Sequence, residues 1–160
     1  MEDKVHSFLA DWTINFIKNK DVVAKKIEQI ENGRLGFDLY VKYKNRGQYF
    51  IIAPNITDIG TLIRKISDVA QSNITYFSIV TLNSKENFDI LVKNWSKLIN
   101  FKCLSVIFVN PFSELDKKWI IFPYTHHKIC DESSLENGLK SMFDMVETIK
   151  EEQLVEKITG

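Results

Sequence analysis

The stretch Phe37-Asp38-Leu39-Tyr40-Val41-Lys42-Tyr43-Lys44-Asn45-Arg46-Gly47-Gln48-Tyr49-Phe50-Ile51-Ile52-Ala53-Pro54 decides how the rest of the chain is read. Phe37, Leu39, Val41 and Tyr43 alternate with polar or amphipathic residues, the period-two pattern of a half-buried strand. Asn45-Arg46-Gly47 reads as a turn, because Asn and Gly tolerate positive φ at little cost. Gln48 to Ala53 then returns as a mostly apolar strand, and Pro54 closes it because proline cannot donate to a ladder. The stretch is therefore an antiparallel hairpin.

Downstream of the hairpin the period changes. Thr57 or Asp58 is placed to cap a helix that carries Ile59, Leu62, Ile63, Ile66, Val69 and Ala70 on one face. Tyr76–Leu82 follows as a strand, and Ser84 caps a helix with Phe88, Leu91, Val92, Trp95, Leu98 and Ile99 on one face. Leu104–Val109 is the next strand. Near-continuous apolar strands separated by amphipathic helices belong to the covered middle of a parallel sheet. A further strand over Trp119–Phe122 stops at Pro123, and Ser133-Ser134-Leu135-Glu136 reads as a capping box. The helix it opens carries Leu135, Leu139, Met142, Phe143, Val146 and Ile149 as its stripe, and the tail 150–160 is a frayed end or an extension of that helix.

Upstream, Val5, Phe8, Leu9, Trp12 and Phe16 form the apolar stripe of a first helix. A second short helix is expected through Val23, Ile27 and Ile30, ending at Asn32-Gly33. The expected order is α, α, β-hairpin, α, β, α, β, β, α. This is an α/β chain with a mixed central sheet, an antiparallel hairpin followed by parallel βα units, and one domain over 1–160 with neither repeat nor linker.

Bulk properties narrow the function. The chain has 160 residues, 44 % of them hydrophobic, enough for one packed core. Its 21 basic and 21 acidic residues give a formal net charge of zero, so any nucleic-acid contact must come from a local patch rather than global charge. No apolar run approaches the ~18 residues of a membrane span, and MEDKVHSF has no signal-peptide pattern. Two cysteines, Cys103 and Cys130, are too few for a disulfide framework. The expectation is a cytoplasmic protein with no membrane partner. No G-x-S-x-G, G-x-G-x-x-G or G-x-x-x-x-G-K motif is present, so acyl-transfer and nucleotide-cradle chemistry have no support. His126, His127 and Cys130 carry metal-ligand side chains, but adjacent histidines on a strand or loop point apart and no CxxC or HxxxH partner exists.

Three local features, spanning about Glu28 to Phe108, carry a resemblance to the PD-(D/E)XK nucleases, in particular Mrr-type, archaeal Holliday-junction-resolvase and RecB-like variants. Gly36-Phe37-Asp38-Leu39-Tyr40-Val41 resembles the strand whose aspartate binds metal. Gln48–Pro54 stands where the next strand normally reads hydrophobic-(E/Q)-x-K. Tyr76-Phe77-Ser78-Ile79-Val80-Thr81-Leu82-Asn83-Ser84 is similar to the I-V-T-x-S strand of the Mrr-type group. The resemblance implies a three-layer α-β-α restriction-endonuclease-like fold and a Mg²⁺ held by carboxylates on adjacent strands, with a lysine two residues on from the second acid. Here Ile52 and Pro54 occupy the positions of acid and lysine, and Asp38 stands alone.

The leading expectation is thus a non-catalytic nuclease-like domain, needing no cofactor, that binds nucleic acid or a partner protein in DNA processing. The first alternative is an active Mg²⁺-dependent DNA endonuclease or resolvase, with Asp38 as metal ligand, Glu28 or Glu31 from an N-terminal helix as second acid, and Lys65 (or Arg64) on the following helix as migrated cation. The bland reading of Asp38 is a residue at the start of a strand bonding to backbone near Gly36. Lys42, Lys44 and Arg46, with Tyr40 and Tyr43 beside them, form a basic and aromatic stretch suited to DNA contact, with Arg64 as a further cation. The same charges also suit a protected sheet edge. The second alternative is an assembly module, a homodimer built on aromatics near Phe112 and Trp119 and on the C-terminal helix.

Overall fold

The computed structural model describes residues 2–70 and 75–160 as an α/β structure around one six-stranded sheet. Strand order along the sheet follows the sequence. The strands are β1 (Ile27–Asn32), β2 (Leu39–Tyr43), β3 (Gly47–Ile52), β4 (Thr75–Leu82), β5 (Leu104–Val109) and β6 (Lys118–Ile121). Strand β2 is antiparallel to both β1 and β3; strands β3, β4 and β5 are parallel, and β6 returns antiparallel on β5. The helices are α1 (Glu2–Lys20), α2 (Ile59–Val69), α3 (Lys85–Lys93), α4 (Trp95–Leu98), α5 (Pro123–Ile129), α6 (Leu135–Phe143) and α7 (Glu151–Thr159). No helix among the described residues is long and apolar enough to cross a membrane.

Period-two alternation on the central strands sorts their side chains into two cores. Tyr49, Ile51, Phe77, Ile79, Val106 and Phe108 meet α2, α3, α4 and α6 on one face. Phe50, Ile52, Val80, Leu82, Ile107 and Val109 meet α1 and α7 on the other. The result is three layers. Helix α1 docks through Val5, Leu9, Thr13 and Ile17, all buried at intervals of four, so Phe8, Trp12 and Phe16 of the expected stripe lie at its flank, half-buried.

The expected second helix is instead β1. Val23, Ile27 and Ile30 imitate helical spacing, but Ile27–Asn32 pairs with β2 and leaves Val22 and Val23 exposed. Asp21 fixes the entry to this strand, its two carboxylate oxygens accepting from the backbone N–H groups of Lys26 and Ile27. Non-local pairing here overrides a weak local pattern. The hairpin turn also differs in physical reason. Gly47 is needed for space, because a Cβ there would lie 2.5 Å from the Tyr40 hydroxyl.

Further expectations are corrected along the C-terminal half. His126 and His127 lie on α5, for which Pro123 is the first helical residue, and not on a strand or loop. The last stripe is divided: α6 ends at Phe143, Val146 bridges to Asp116, and Ile149 belongs to the α1-side core. The tail is neither frayed nor an extension of α6, since α7 buries Leu154 against that same core. Trp119 is no docking surface, being buried, stacked on Phe108 at 4.4 Å and donating to Asn83 Oδ1 at 2.7 Å. Phe112 is 37 % exposed and stacks on Phe8.

Two buried asparagines tie the C-terminal ends of the parallel strands to neighbouring segments of the chain. Asn83 Nδ2 donates to Phe143 O and Val146 O. Asn87 Oδ1 accepts from Ile56 N–H, and its Nδ2 donates to Pro54 O, Thr81 Oγ1 and Leu82 O. Removing such an amide strands buried partners at about 1–3 kcal/mol per group. Asn87→Ala is therefore expected to lower the unfolding free energy by roughly 2–4 kcal/mol in urea titrations, with native circular dichroism unchanged before the transition.

Candidate nucleic-acid interface

The two ends of the parallel strands differ in chemistry. At the C-terminal end of β3 lies Asp38, in the bend that precedes β2. Both of its carboxylate oxygens are taken: Oδ1 accepts from His6 Nε2 of α1 at 2.7 Å, and Oδ2 accepts from the Ile52 backbone N–H at 2.7 Å. Ile52, which gives that N–H, has its side chain buried in the apolar core under α1. Asp38 is a single carboxylate already bonded to two protein donors, and the Ile52 and Pro54 side chains offer no oxygen ligand, so these residues together do not fit Mg²⁺. Among the described residues no group of three or more His, Cys, Asp or Glu side chains is placed to hold a metal ion.

The other residues proposed for a metal site are engaged elsewhere. Glu28 and Glu31 stand on β1 rather than on a helix. Glu28 faces Lys42 at 3.7 Å, and Glu31 accepts from Gln29 Nε2 at 2.7 Å and from Arg34 at 3.4 Å. Lys65 of α2 bonds to Gly36 O and lies 5.2 Å from the Phe37 ring centroid. None of the three is joined to the Asp38 carboxylate, whose partners are His6 and Ile52. His6 had no signal in the sequence beyond a polar position on α1. Asp38→Ala orphans the Ile52 N–H and is expected to cost about 1–3 kcal/mol in a urea titration, by the same amount with and without Mg²⁺.

The N-terminal ends of β3, β4 and β5 form a different environment. A cleft of about 360 Å³ opens there between the C-terminal half of α1 and the sheet. Its rim carries Lys20, Lys26 and Arg46 against a single carboxylate, Asp21, whose oxygens already accept from backbone. Its walls are aromatic. The Arg46 guanidinium lies 4.3 Å from the Tyr76 ring centroid and 5.3 Å from that of Tyr43. Opposite, Phe16 stacks on Trp12 and has the ammonium groups of Lys20 and Lys118 at 5.4 and 5.1 Å. Cations over ring faces are attracted by the ring quadrupole, which holds these mobile side chains at the mouth.

The floor is polar. Gln48 Nε2 donates to Ser78 Oγ at 2.7 Å, and Ser78 Oγ lies 2.6 Å from Ser105 Oγ. Ser78 and Ser105 are in register on β4 and β5, and Gln48 reaches Ser78 diagonally from β3. Each is followed on the same face by apolar residues: Phe50 and Ile52, Val80 and Leu82, Ile107 and Val109. Burial pushes the Cys103 thiol above its ordinary pKa, with Arg46 and Lys102 pulling the other way. Burial likewise raises Tyr43, against the pull of Arg46. Both line the cleft and stay uncharged at neutral pH.

Of the basic residues expected to contact nucleic acid, Arg46 is on the cleft rim and Lys44 is exposed beside it, its backbone N–H on Lys26 O. Lys42 is exposed and faces Glu28, while Arg64 lies on α2, which covers the opposite face of the sheet. The sequence assigned no nucleic-acid role to Lys20, Lys26, Tyr76, Ser78 or Ser105. The signal available was two serines inside otherwise apolar strands. The His–Cys cluster is local: Cys130 Sγ lies 3.4 Å from His126 Nε2, and His127 Nδ1 accepts from Trp95 Nε1 at 3.4 Å. Burial holds His126 below its ordinary pKa.

Compared with known proteins, the chain matches no family model, no curated protein and no solved structure.

Proposed function

We propose that this protein is a non-catalytic, nuclease-like domain that binds nucleic acid at the basic, aromatic cleft between α1 and the N-terminal ends of β3, β4 and β5. The observation that carries the reading is the cleft itself: Lys20, Lys26 and Arg46 surround one already-bonded carboxylate, on a chain whose net charge is zero. Phosphates are drawn to such a local excess of positive charge. Tyr43, Tyr76 and Phe16 supply ring faces beside it. The helix-flanked sheet and the lone Asp38 support the likeness to PD-(D/E)XK nucleases, and Ile52 with Pro54 supports the loss of catalysis.

The opposite end of the parallel strands suits phosphate poorly. The cleft of about 770 Å³ there is lined by Glu86, Glu151 and Glu152 against Lys85 and Lys150. That end is where ligands of open α/β sheets usually sit, and its charge argues against a nucleic-acid backbone following that rule here.

Fluorescence anisotropy with labelled oligonucleotides tests the proposal. Affinity is expected to fall steeply as salt rises, and Lys44→Ala and Arg46→Ala each to reduce the salt slope by about 1. Incubation with plasmid or branched DNA and Mg²⁺ or Mn²⁺ is expected to leave the DNA intact. Nicking that disappears in Asp38→Ala would establish the active nuclease instead. Absence of binding to any DNA or RNA would leave the chain as a protein-interaction module.

A further inference from the structure

We propose that the cleft takes one unpaired nucleotide of a single strand, with the base inserted to the polar floor and the flanking phosphates on Lys20 and Lys26. The inference rests on the proposed nucleic-acid function and names the substrate class of that same site. Three observations lead to it.

The first is the floor. The row Gln48–Ser78–Ser105 lies on strands otherwise apolar on that face, and Ser78 and Ser105 are only 1 % and 4 % exposed. Polar groups are costly there unless bonded. Counting hydrogens, a glutamine amide has two donors and each serine hydroxyl one. The two contacts within the row use two of the four. One amide hydrogen, one hydroxyl hydrogen and the Gln48 carbonyl oxygen remain for a ligand in the cleft that these side chains line. A mixed set of donors and acceptor matches the edge of a nucleobase, whereas a phosphate offers acceptors alone.

The second is shape and stacking. The floor lies between α1 and the sheet, beneath Phe16 on one side and Tyr76 with Arg46 on the other. In a duplex the bases are stacked and present only their groove edges, so they cannot descend between two walls. An unstacked base can, and aromatic rings and guanidinium planes are the surfaces on which such bases stack. Arg46 already lies on the Tyr76 ring, so a planar cation and a planar ring stand ready as one wall.

The third is the absence of a phosphate cradle, which separates a strand from a free nucleotide. Helix α1 presents its C-terminal end to the cleft, through Ile17, Lys20 and the following Asp21. That is the negative end of the helix dipole, compensated by Lys18 and Lys20. One helix start borders the cleft, Phe122 being both a lining residue and the N-cap of α5. Helix α5 is only seven residues long and opens on Pro123, which has no N–H, so it is a poor cradle for a nucleotide's terminal phosphates. Mobile lysines on an open rim suit a chain of single phosphates passing the mouth.

The experiment compares labelled single-stranded oligonucleotides, hairpin duplexes of the same sequence and unlabelled mononucleotides as competitors, by anisotropy at fixed salt. Single strands are expected to bind at least ~10-fold tighter than duplex, and Tyr76→Leu to weaken single-strand binding by roughly 5- to 100-fold. Arg46→Lys keeps the charge but removes the planar group. It lies on the exposed rim, so folding is preserved, and it is expected to weaken single-strand binding with the salt slope unchanged. Gln48→Leu tests the floor and is expected to weaken single strands and spare duplex. Equal affinity for single strand and duplex, with Arg46→Lys and Gln48→Leu both behaving as wild type, overturns this inference while leaving nucleic-acid binding intact. Mononucleotides competing as well as oligonucleotides of equal base content would overturn the strand in favour of a free nucleotide. Absence of binding by every nucleic acid overturns both readings.

Discussion

Strands β3, β4 and β5 have helices on both faces, and that double burial is the constraint on which the rest of the structure depends. A strand covered on both sides keeps most of its polar side chains from bulk water, so the buried ones must be bonded in place. At one end of the strands the demand is met by Asn83 and Asn87, whose amides bind the loops after β3 and β4 and the segment after α6. At the other end it is met by Gln48, Ser78 and Ser105 bonding to one another. The first set is closed, every bond made to the protein's own backbone or side chains. The second set is bonded within itself and lines a cleft.

The same division governs charge. Around Asp38 the protein supplies its own counter-groups, an imidazole and a backbone N–H, and the carboxylate becomes a clasp between α1 and the β2–β3 pair. Each carboxylate oxygen of this clasp accepts from a donor within the protein. At the far end the cations outnumber the acids, and the one acid present is bonded to the backbone entry of β1. A neutral chain can therefore show phosphate a positive surface at one end while remaining near-neutral elsewhere.

Much of the fold was legible because burial leaves a strong imprint on composition. Tyr76–Leu82 and Leu104–Val109 read as covered parallel strands, and the Ser84 cap is present, its hydroxyl accepting from Asn87 N–H. The hairpin was legible from its alternation. Strand β1 was not, because it is an edge, with only part of its length in contact with core, and its two apolar residues, Ile27 and Ile30, fell with Val23 at helical spacing. The break of the last stripe at Phe143 was invisible for a related reason, since Val146 and Ile149 are apolar in two different cores. Of the site, the sequence disclosed that Ile52 and Pro54 after Asp38 carry neither acid nor amine, since that depends on residue type alone. It did not disclose His6 as the partner of Asp38, nor the alignment of Ser78 with Ser105, since both depend on how distant segments meet. Arg46 was legible as a charge on a turn; that it stacks on Tyr76, from a different strand, was not.

The proposed function places nucleic acid at the N-terminal ends of the parallel strands, away from Asp38. Backbone amide chemical-shift mapping, with ¹⁵N-labelled protein titrated with a short single-stranded oligonucleotide, tests it directly. The account predicts that the amides of Arg46, Gln48, Tyr76, Ser78 and Ser105 and the last turn of α1 shift together, while those of His6, Asp38 and Ile52 stay in place. Shifts concentrated at His6, Asp38 and Ile52, with the Gln48–Ser78–Ser105 row unmoved, would contradict it.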